Sequence, residues 1–196
     1  MAFRIPKIQW LNATIAGNTS SGNPQITNLT STASLQAGMH VVGTGVPTGA
    51  KILTIDSPTQ ITLDANASAT GTGVSFDFYF EIKFVYPPIE KDGEKLDSKE
   101  HVSVSISGVR QTSVDYIEAV RDFKFSFLSE TLKNEVDNFM QTHALYGRSF
   151  RYFDDQTLTS YIDYELNTLK HTPKKLMGKG VDVYVWEVPL VFRRVI

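Results

Sequence analysis

The stretch from Leu11 to Phe76 contains only three charged side chains, Lys51, Asp56 and Asp64, and is rich in Thr, Ser, Asn, Gly and Ala. Short runs of Val, Ile and Thr recur in it, AGMHVVGTGV, AKILTID, TQITLDA and GVSFDFYF, each bounded by Gly, Pro, Asn or Asp. Such runs are typical of short antiparallel strands joined by tight turns. The pattern predicts a small all-β domain at 12–76 rather than a low-complexity linker.

After residue 76, charged residues return and longer alternating segments begin. FDFYFEIKFVYPP predicts a strand that Pro87 and Pro88 end, and IEKDGEKLDSKE at 89–100 predicts a charged loop. HVSVSISGV and DFKFSFLS alternate apolar and polar side chains, the pattern of half-buried strands. The predicted apolar faces are Val102, Val104 and Ile106 in the first segment and, pointing inward, Phe123, Phe125 and Phe127 in the second.

One segment has the period of a helix. Ser129 can cap a helix whose first turn carries Glu130, and Gly147 supplies a stop. A single apolar stripe is formed by Leu132, Val136, Phe139 and Met140. We therefore predict a helix at about 130–144 that lies across a sheet.

The C-terminal segment VDVYVWEVPLVFRRVI predicts another long strand or strand pair, with Val181, Val183 and Val185 on one face and an edge or bulge at Pro189. Residues 1–11 and 77–196 share one composition, so the middle domain is predicted to be an insertion in a surface turn. The expected fold is mainly β with one helix.

The glycine-rich stretch VVGTGVPTGAKI at 41–52 invites a phosphate-binding interpretation. A phosphate loop needs its lysine directly after the last glycine, followed by Ser or Thr, and a helix beyond it. Here Ala50 separates Gly49 from Lys51, and the residues that follow predict a strand. The stretch instead predicts a turn at Val46–Gly49 between two strands.

No set of residues has the spacing of a catalytic or metal site. The acids Asp154 and Asp155, and Asp115 with Glu118, could serve a glycosidase, but adjacent acids are also typical of a hairpin turn. The four histidines, His40, His101, His143 and His171, show no metal-site spacing, and His143 ends the helix, where a positive charge is favourable. The chain has no cysteine. We expect no cofactor, no metal and no enzymatic activity, with a hydrolase as the catalytic alternative.

The charge balance offers no electrostatic case for nucleic acid or membrane partners, because the formal net charge is −2. The basic segment KHTPKKLMGKG at 170–180 lacks the aromatic residues that stack on bases and predicts a solvated loop or a protein contact. GRSFRYFDD, from Gly147 to Asp155, combines aromatic and basic residues and could be an interface or a strand with one buried face. The N-terminus lacks the apolar core of a signal peptide, and no apolar run is long enough for a membrane helix.

Several segments together resemble tail proteins of tailed bacteriophages. They are SGVRQTSVDYIEAVRDFKFSFLS, a helix ending in THALYGRSFRYFDD, and VYVWEVPLVFRRVI with its paired Arg193 and Arg194. The resemblance covers about 120 residues and is closest to the distal tail or baseplate-hub group. It implies a β-sandwich core with a helix, and rings that are often hexameric. The 12–76 segment is similar to small accessory β-domains of phage tail and fibre proteins.

The resemblance implies a structural virion protein, assembled in the host cytoplasm, that forms a ring with itself and docks to tail tube and tail-tip or hub proteins. The residues expected at contacts between subunits are Arg148, Arg151, Lys174, Lys175, Arg193 and Arg194. The alternative is a carbohydrate-binding or host-adhesion role for the 12–76 domain. Between Leu11 and Val74 no Trp, Tyr or Phe is present to stack on a sugar, which argues against that alternative.

Overall fold

A computed structural model of the protein describes residues 4–90, 94–108, 110–167, 172–177 and 184–194. The predicted fold class is confirmed: the chain is mainly β, with a β-sandwich architecture and one α-helix. It divides into two compact units, unit 1 formed by Met1–Ile8 and Ile82–Ile196, and unit 2 formed by Gln9–Glu81. The segment predicted as an inserted domain, 12–76, lies inside unit 2.

Unit 2 contains most of the first six strands, β1 to β6. Strands β4, β5, β2 and β1 are neighbours in that order, and β6 pairs with both β1 and β3. The four predicted apolar runs correspond to β3, β4, β5 and β6, whereas the long β1 and the short β2 were not predicted in this unit. The bounds are β1 Lys7–Thr19, β2 Gln25–Thr27, β3 His40–Gly43, β4 Ile52–Ser57, β5 Gln60–Leu63 and β6 Gly71–Lys83.

Aliphatic side chains from the short strands and loops of unit 2 form its core around two fully buried rings, Phe76 and Phe78. Gly43 lies opposite Phe76 in the β3–β6 ladder, and the Phe76 ring occupies the space that a side chain at position 43 would need. The glycine-rich stretch therefore serves packing at Gly43. At Gly49 it serves the turn, because φ is 87° there and other residues rarely adopt that conformation.

Unit 1 contains the remaining strands. Strands β10, β11, β13 and β9 are neighbours in that order, β12 pairs with β13, and both β7 and β8 pair with β9. The bounds are β7 Ile89–Glu90, β8 Lys95–Val104, β9 Arg110–Leu128, β10 Phe150–Phe153, β11 Ile162–Leu166, β12 Lys174–Met177 and β13 Tyr184–Arg194. The hairpin predicted around Asp154 and Asp155 is confirmed, since β10 and β11 pair antiparallel across this turn.

Aromatic side chains dominate the core of unit 1. Phe192 of β13 lies at its centre, with its ring centroid 4.9 Å from that of Phe150 and 5.1 Å from that of Phe123. Phe125, Tyr152 and Tyr164 complete the cluster around Phe192. Burial of Phe150, Tyr152 and Phe153 decides between the two interpretations of GRSFRYFDD, because all three rings are in the core.

The predicted helix is confirmed as α1, Glu130–Thr142, and a short 3-10 helix follows at Ala144–Tyr146. Its predicted apolar stripe is buried, and α1 packs on β13 and β9. Ser129 is the N-cap, because its hydroxyl accepts a hydrogen bond of 3.2 Å from the backbone N–H of Leu132. Gly147 ends the 3-10 helix in a left-handed conformation, as the predicted stop requires.

Replacing Ser129 with alanine is expected to lower the free energy of unfolding of unit 1 by about 1 kcal/mol, because the N–H of Leu132 loses its acceptor. Urea unfolding followed by circular dichroism measures the change. Thr131→Ala is the matched control: Thr131 is exposed in the same turn, and its replacement is expected to leave stability equal or slightly higher. Equal losses in the two variants would contradict the capping role.

Several predictions about the strands of unit 1 were wrong. The 89–100 segment is not a loop throughout, because β7 and β8 pair with β9, and a ladder of backbone hydrogen bonds tolerates charged side chains at an exposed edge. The basic 170–180 segment likewise contains β12. Phe127 points outward, 60% exposed, because a bulge opposite Trp186–Val188 and a φ of 59° at Phe127 interrupt the alternation of β9.

The β13 prediction holds in part. The strand is long, and its ladder with β9 shifts register between Trp186 and Val188, next to Pro189, where a bulge was expected. The strand that the HVSVSISGV pattern predicted ends at Val104, and a turn with a hydrogen bond from Gly108 to Ser105 follows. The face predicted from Val181 and Val183 lies outside the described residues.

Candidate interaction surfaces

Strands β8 and β9 form a long hairpin, which we call the arm, residues 95–119. Its pairing runs from Lys95 opposite Val120 to Val104 opposite Arg110. Strand β13 joins β9 only from Val120 onward, opposite Arg193. In the described part of the chain, the two arm strands therefore have only each other as ladder partners over roughly 30 Å, the rise of ten extended residues.

The arm presents apolar side chains to solvent. Val102, Val104 and Ile106 are 42%, 65% and 111% exposed near its turn, and Leu96 is 78% exposed near its base. Val102, Val104 and Ile106, the predicted apolar face, are thus not part of a core within one copy of the chain. A two-stranded ribbon is marginally stable by itself, and clustered exposed apolar residues are typical of interaction sites. The arm is accordingly the strongest candidate for a contact with another protein.

The paired arginines near the C-terminus already have acidic partners within unit 1. Arg193 binds Glu165 at 2.6 Å and Glu118 at 3.4 Å, and these two carboxylates, Glu165 above all, raise its pKa against the opposing effect of burial. Arg194 lies 3.7 Å from Glu94. Both arginines therefore stabilise pairing between β13 and its neighbouring segments, and any subunit contact would compete with these ion pairs.

The other predicted contact residues lie at the surface of unit 1 beside aromatic rings. Arg148 is exposed with its guanidinium 5.6 Å from the Tyr146 ring centroid, and Arg151 lies 4.4 Å from that of Tyr161. Lys174 and Lys175 are exposed on β12, and the Lys175 amine is 5.8 Å from the Trp186 ring. Among the six residues, Arg193 and Arg194 bind carboxylates, while Arg148, Arg151 and Lys175 lie over aromatic rings.

A cleft of about 260 Å³ lies in unit 1, and Arg121 is one of the residues that line it. The Arg121 guanidinium binds Asp154 at 3.1 Å and lies 4.6 Å from the Phe123 ring centroid and 5.5 Å from that of Tyr152. Pro87 and Pro88 line the same cleft. Asp154 compensates the charge of Arg121, so this ion pair stabilises the aromatic core. Arg4 is a second arginine in the lining of the cleft.

The acids weighed as catalytic residues have structural partners. Asp155 accepts hydrogen bonds from the N–H and hydroxyl of Thr157, which with other contacts lower its pKa. Glu118 is buried against Arg193. The side chain of Asp115 lies outside the described set. These contacts are those of a turn and an ion-pair network, and they do not place two carboxylates on one cleft.

His143 does not meet the expectation of a cation at the helix end. Its side chain is buried, and its Nε2 lies 2.8 Å from the carbonyl oxygen of Ser149. Burial lowers its pKa, outweighing the opposing effect of the Ser149 carbonyl. The residue therefore connects the helix end to the start of β10.

Unit 2 contains a buried polar cluster that the sequence did not reveal. The Glu81 side chain, 6% exposed, has its Oε2 2.8 Å from Nε2 of Gln9 and 2.9 Å from Nε2 of His40. The amine of Lys51 lies 3.3 Å from Oε1. His40 approaches at ion-pair distance without the alignment of a good hydrogen bond. Lys51, the lysine of the glycine-rich stretch, is thus a partner of Glu81.

The environment of Glu81 strongly favours its ionised form. Burial alone opposes ionisation, but contacts with His40 and Gln9 and the charges of His40 and Lys51 outweigh it, so the pKa lies well below that of an ordinary glutamate. The one signal available in the sequence was composition. His40 is the only histidine and Lys51 the only lysine or arginine between Leu11 and Phe76, and such residues favour pairing when they are buried.

The residues of unit 2 do not favour the glycan-binding alternative. All residues from Gln9 to Glu81 are described, and none of the large exposed apolar side chains among them is aromatic. Trp10 and Tyr79 are buried, and the half-buried Phe80 stacks on Trp10 at 5.2 Å. A flat aromatic platform for a sugar is therefore not present on this unit.

Among the described residues, no helix has the length and apolarity to cross a membrane, and no group of three or more His, Asp or Glu is placed to hold a metal ion. No protein-family model, curated protein or solved structure shows significant similarity to this chain.

Proposed function

We propose that this protein is a structural component of a bacteriophage tail that forms a ring with copies of itself at the distal tail or baseplate. The observation that carries the proposal is the arm, a ribbon with exposed Val102, Val104 and Ile106 and without further strand partners in the described part of the chain. The sequence resemblance to distal tail and hub proteins supports the same role. Docking to tail tube and hub proteins, in a virion assembled in the host cytoplasm, completes the proposal.

The chemistry of the unit 1 surface supports assembly rather than catalysis. Exposed β-branched residues on a ribbon are suited to pairing with, or packing on, another chain. Asp155 and Glu118 are engaged in turn and ion-pair contacts, as described above. The proposed role is therefore mechanical: the protein positions its neighbours and performs no reaction on them.

Replacing Val102, Val104 and Ile106 together with serine is expected to abolish ring formation. Each substitution removes roughly 1 kcal/mol of apolar burial at a contact, so three together weaken each contact by roughly a hundred-fold. Negative-stain electron microscopy and mass photometry of the purified protein measure the fraction in rings. The monomer is expected to stay folded, because the three side chains are exposed.

The matched control replaces Leu53 and Ile55, which are 57% and 40% exposed on unit 2, with serine. This variant is expected to assemble like the unaltered protein. A wild-type protein that stays monomeric at high concentration and binds neither purified tail tube nor hub protein would contradict the proposed function. Rings that survive the triple substitution would show that the arm is not the contact.

A further inference from the structure

A second exposed apolar surface lies on unit 1, far from the arm tip. Tyr86 and Phe127 are 53% and 60% exposed and meet edge to face, with ring centroids 6.0 Å apart. Val85 and Ile89 flank Tyr86 along the chain and are 62% and 56% exposed. We call these four residues the Tyr86 patch.

The backbone directs Phe127 into this patch at an energetic cost. Its φ of 59° is a left-handed conformation, which costs a residue other than glycine roughly 1–2 kcal/mol. Phe125, two residues earlier on β9, is only 2% exposed. The bulge between them therefore turns the Phe127 side chain to the opposite face from Phe125. Strain that persists while exposing a large ring is typical of a binding surface.

The arm tip and the Tyr86 patch cannot meet within one copy of the chain. Both are tied to β9, which is one strand from Arg110, beside the tip, to Leu128, next to Phe127. Extended residues rise about 3.3 Å each, so the two ends lie roughly 60 Å apart. A contact between the two surfaces therefore has to join two molecules, and it uses a different surface on each.

We infer that the arm tip of one copy, Val102, Val104 and Ile106, docks on the Tyr86 patch of the next copy. The inference rests on the proposed function, since it names the two surfaces that join neighbours in the ring. Aliphatic side chains of the tip fill the space around two aromatic rings, and both surfaces leave water together. A head-to-tail contact of this kind repeats around an axis, and rings close when the rotation between neighbours allows it.

The absence of cysteine from the chain provides a clean test by disulfide cross-linking. One batch carries Ser107→Cys at the exposed arm turn, and a second batch carries Val85→Cys in the patch. The batches are mixed, oxidised and separated on a non-reducing gel. The control mixture combines Ser107→Cys with Leu53→Cys, a position of similar exposure on unit 2. The test mixture is expected to give at least about ten times more dimer than the control mixture. A tenfold ratio corresponds to about 1.4 kcal/mol of preference.

The outcomes separate this inference from the proposed function. Ring formation with preferential Ser107–Val85 cross-linking supports both. Rings without that cross-link overturn the inference and leave the proposed function standing, with another tail protein as the occupant of the patch. Preferential dimers within the Ser107→Cys batch alone indicate tip-to-tip contact and overturn it as well. A protein that forms no rings and no cross-link overturns the inference, and it overturns the proposed function as well when it binds neither purified tail tube nor hub protein.

Discussion

Replacing Phe192 with alanine is expected to lower the free energy of unfolding of unit 1 by about 4 kcal/mol, the largest effect of any single substitution considered. Phe192 is fully buried and contacts rings from β9, β10 and β11, with centroid distances from 4.9 Å to Phe150 up to 6.5 Å to Phe125. Truncation leaves a cavity among the aromatic rings of β9, β10 and β11 that surround Phe192. The neighbouring strands are held by backbone ladders and can collapse only partially into the gap.

Hydrogen exchange followed by mass spectrometry measures this loss within the unit, since peptides from β9 and β13 report on the strands that Phe192 joins. The matched control is Phe127→Ala, which removes a ring that is 60% exposed. The control is expected to change stability by about 1 kcal/mol or less, because little buried surface is lost. Comparable losses in the two variants would show that the aromatic cluster does not form the core of unit 1.

Replacing Glu81 with glutamine is expected to lower the free energy of unfolding of unit 2 by about 2–3 kcal/mol at neutral pH. The change keeps the shape of the side chain but removes the negative charge that His40 and Lys51 face. The estimate lies below the usual cost of breaking a buried ion pair because the Lys51 side chain is 32% exposed and partly solvated.

The stability that Glu81 contributes to unit 2 is expected to depend on pH. The pKa of Glu81 is lower in the folded chain than in the unfolded chain, so its contribution to stability is complete above the ordinary glutamate pKa. The contribution declines as the pH falls below that value toward the folded-state pKa. The stability of the wild-type protein and of Glu81→Gln should therefore differ most near neutrality and converge in strong acid.

Urea unfolding followed by Trp10 fluorescence measures this difference. Trp10 lies in unit 2, 4% exposed, and Trp186→Phe removes the only other tryptophan of the chain. Asp77→Asn is the matched control: Asp77 lies on the same strand and accepts an exposed hydrogen bond from Thr14 at 2.6 Å and a longer one from the Tyr79 hydroxyl at 3.5 Å. A constant difference between the wild type and Glu81→Gln at every pH would show that Glu81 is not held ionised by its partners.

Local patterns in the sequence predicted much of the fold. The helix at Glu130–Thr142, its cap at Ser129 and its buried stripe followed from spacing alone, because a helix closes its hydrogen bonds within one segment. The short strands of unit 2 were predicted for a similar reason: β-branched runs between turn residues are recognisable within about ten positions. The turn at Gly49 was likewise a local property.

Local sequence patterns did not predict the arm or the partners of the surface arginines. The charged segment 89–100 was expected to be a loop, yet part of it forms the arm because β9 offers ladder partners, from Val120 opposite Lys95 to Val114 opposite Glu100. The basic residues at 170–180 and the paired arginines suggested subunit contacts. Within one copy of the chain, Arg193 is bound to Glu118 and Glu165, which no local pattern places beside it.

By itself, the sequence determined the class of the fold and the type of most elements, because both depend on periodicity within short segments. Only the tertiary structure decided which apolar and charged side chains are buried. Phe125 and Phe127 have the same place in the alternating pattern, but the bulge in β9 buries one and exposes the other. Glu81 likewise becomes a buried anion through Gln9, His40 and Lys51, which are distant in sequence and are brought together by strand register.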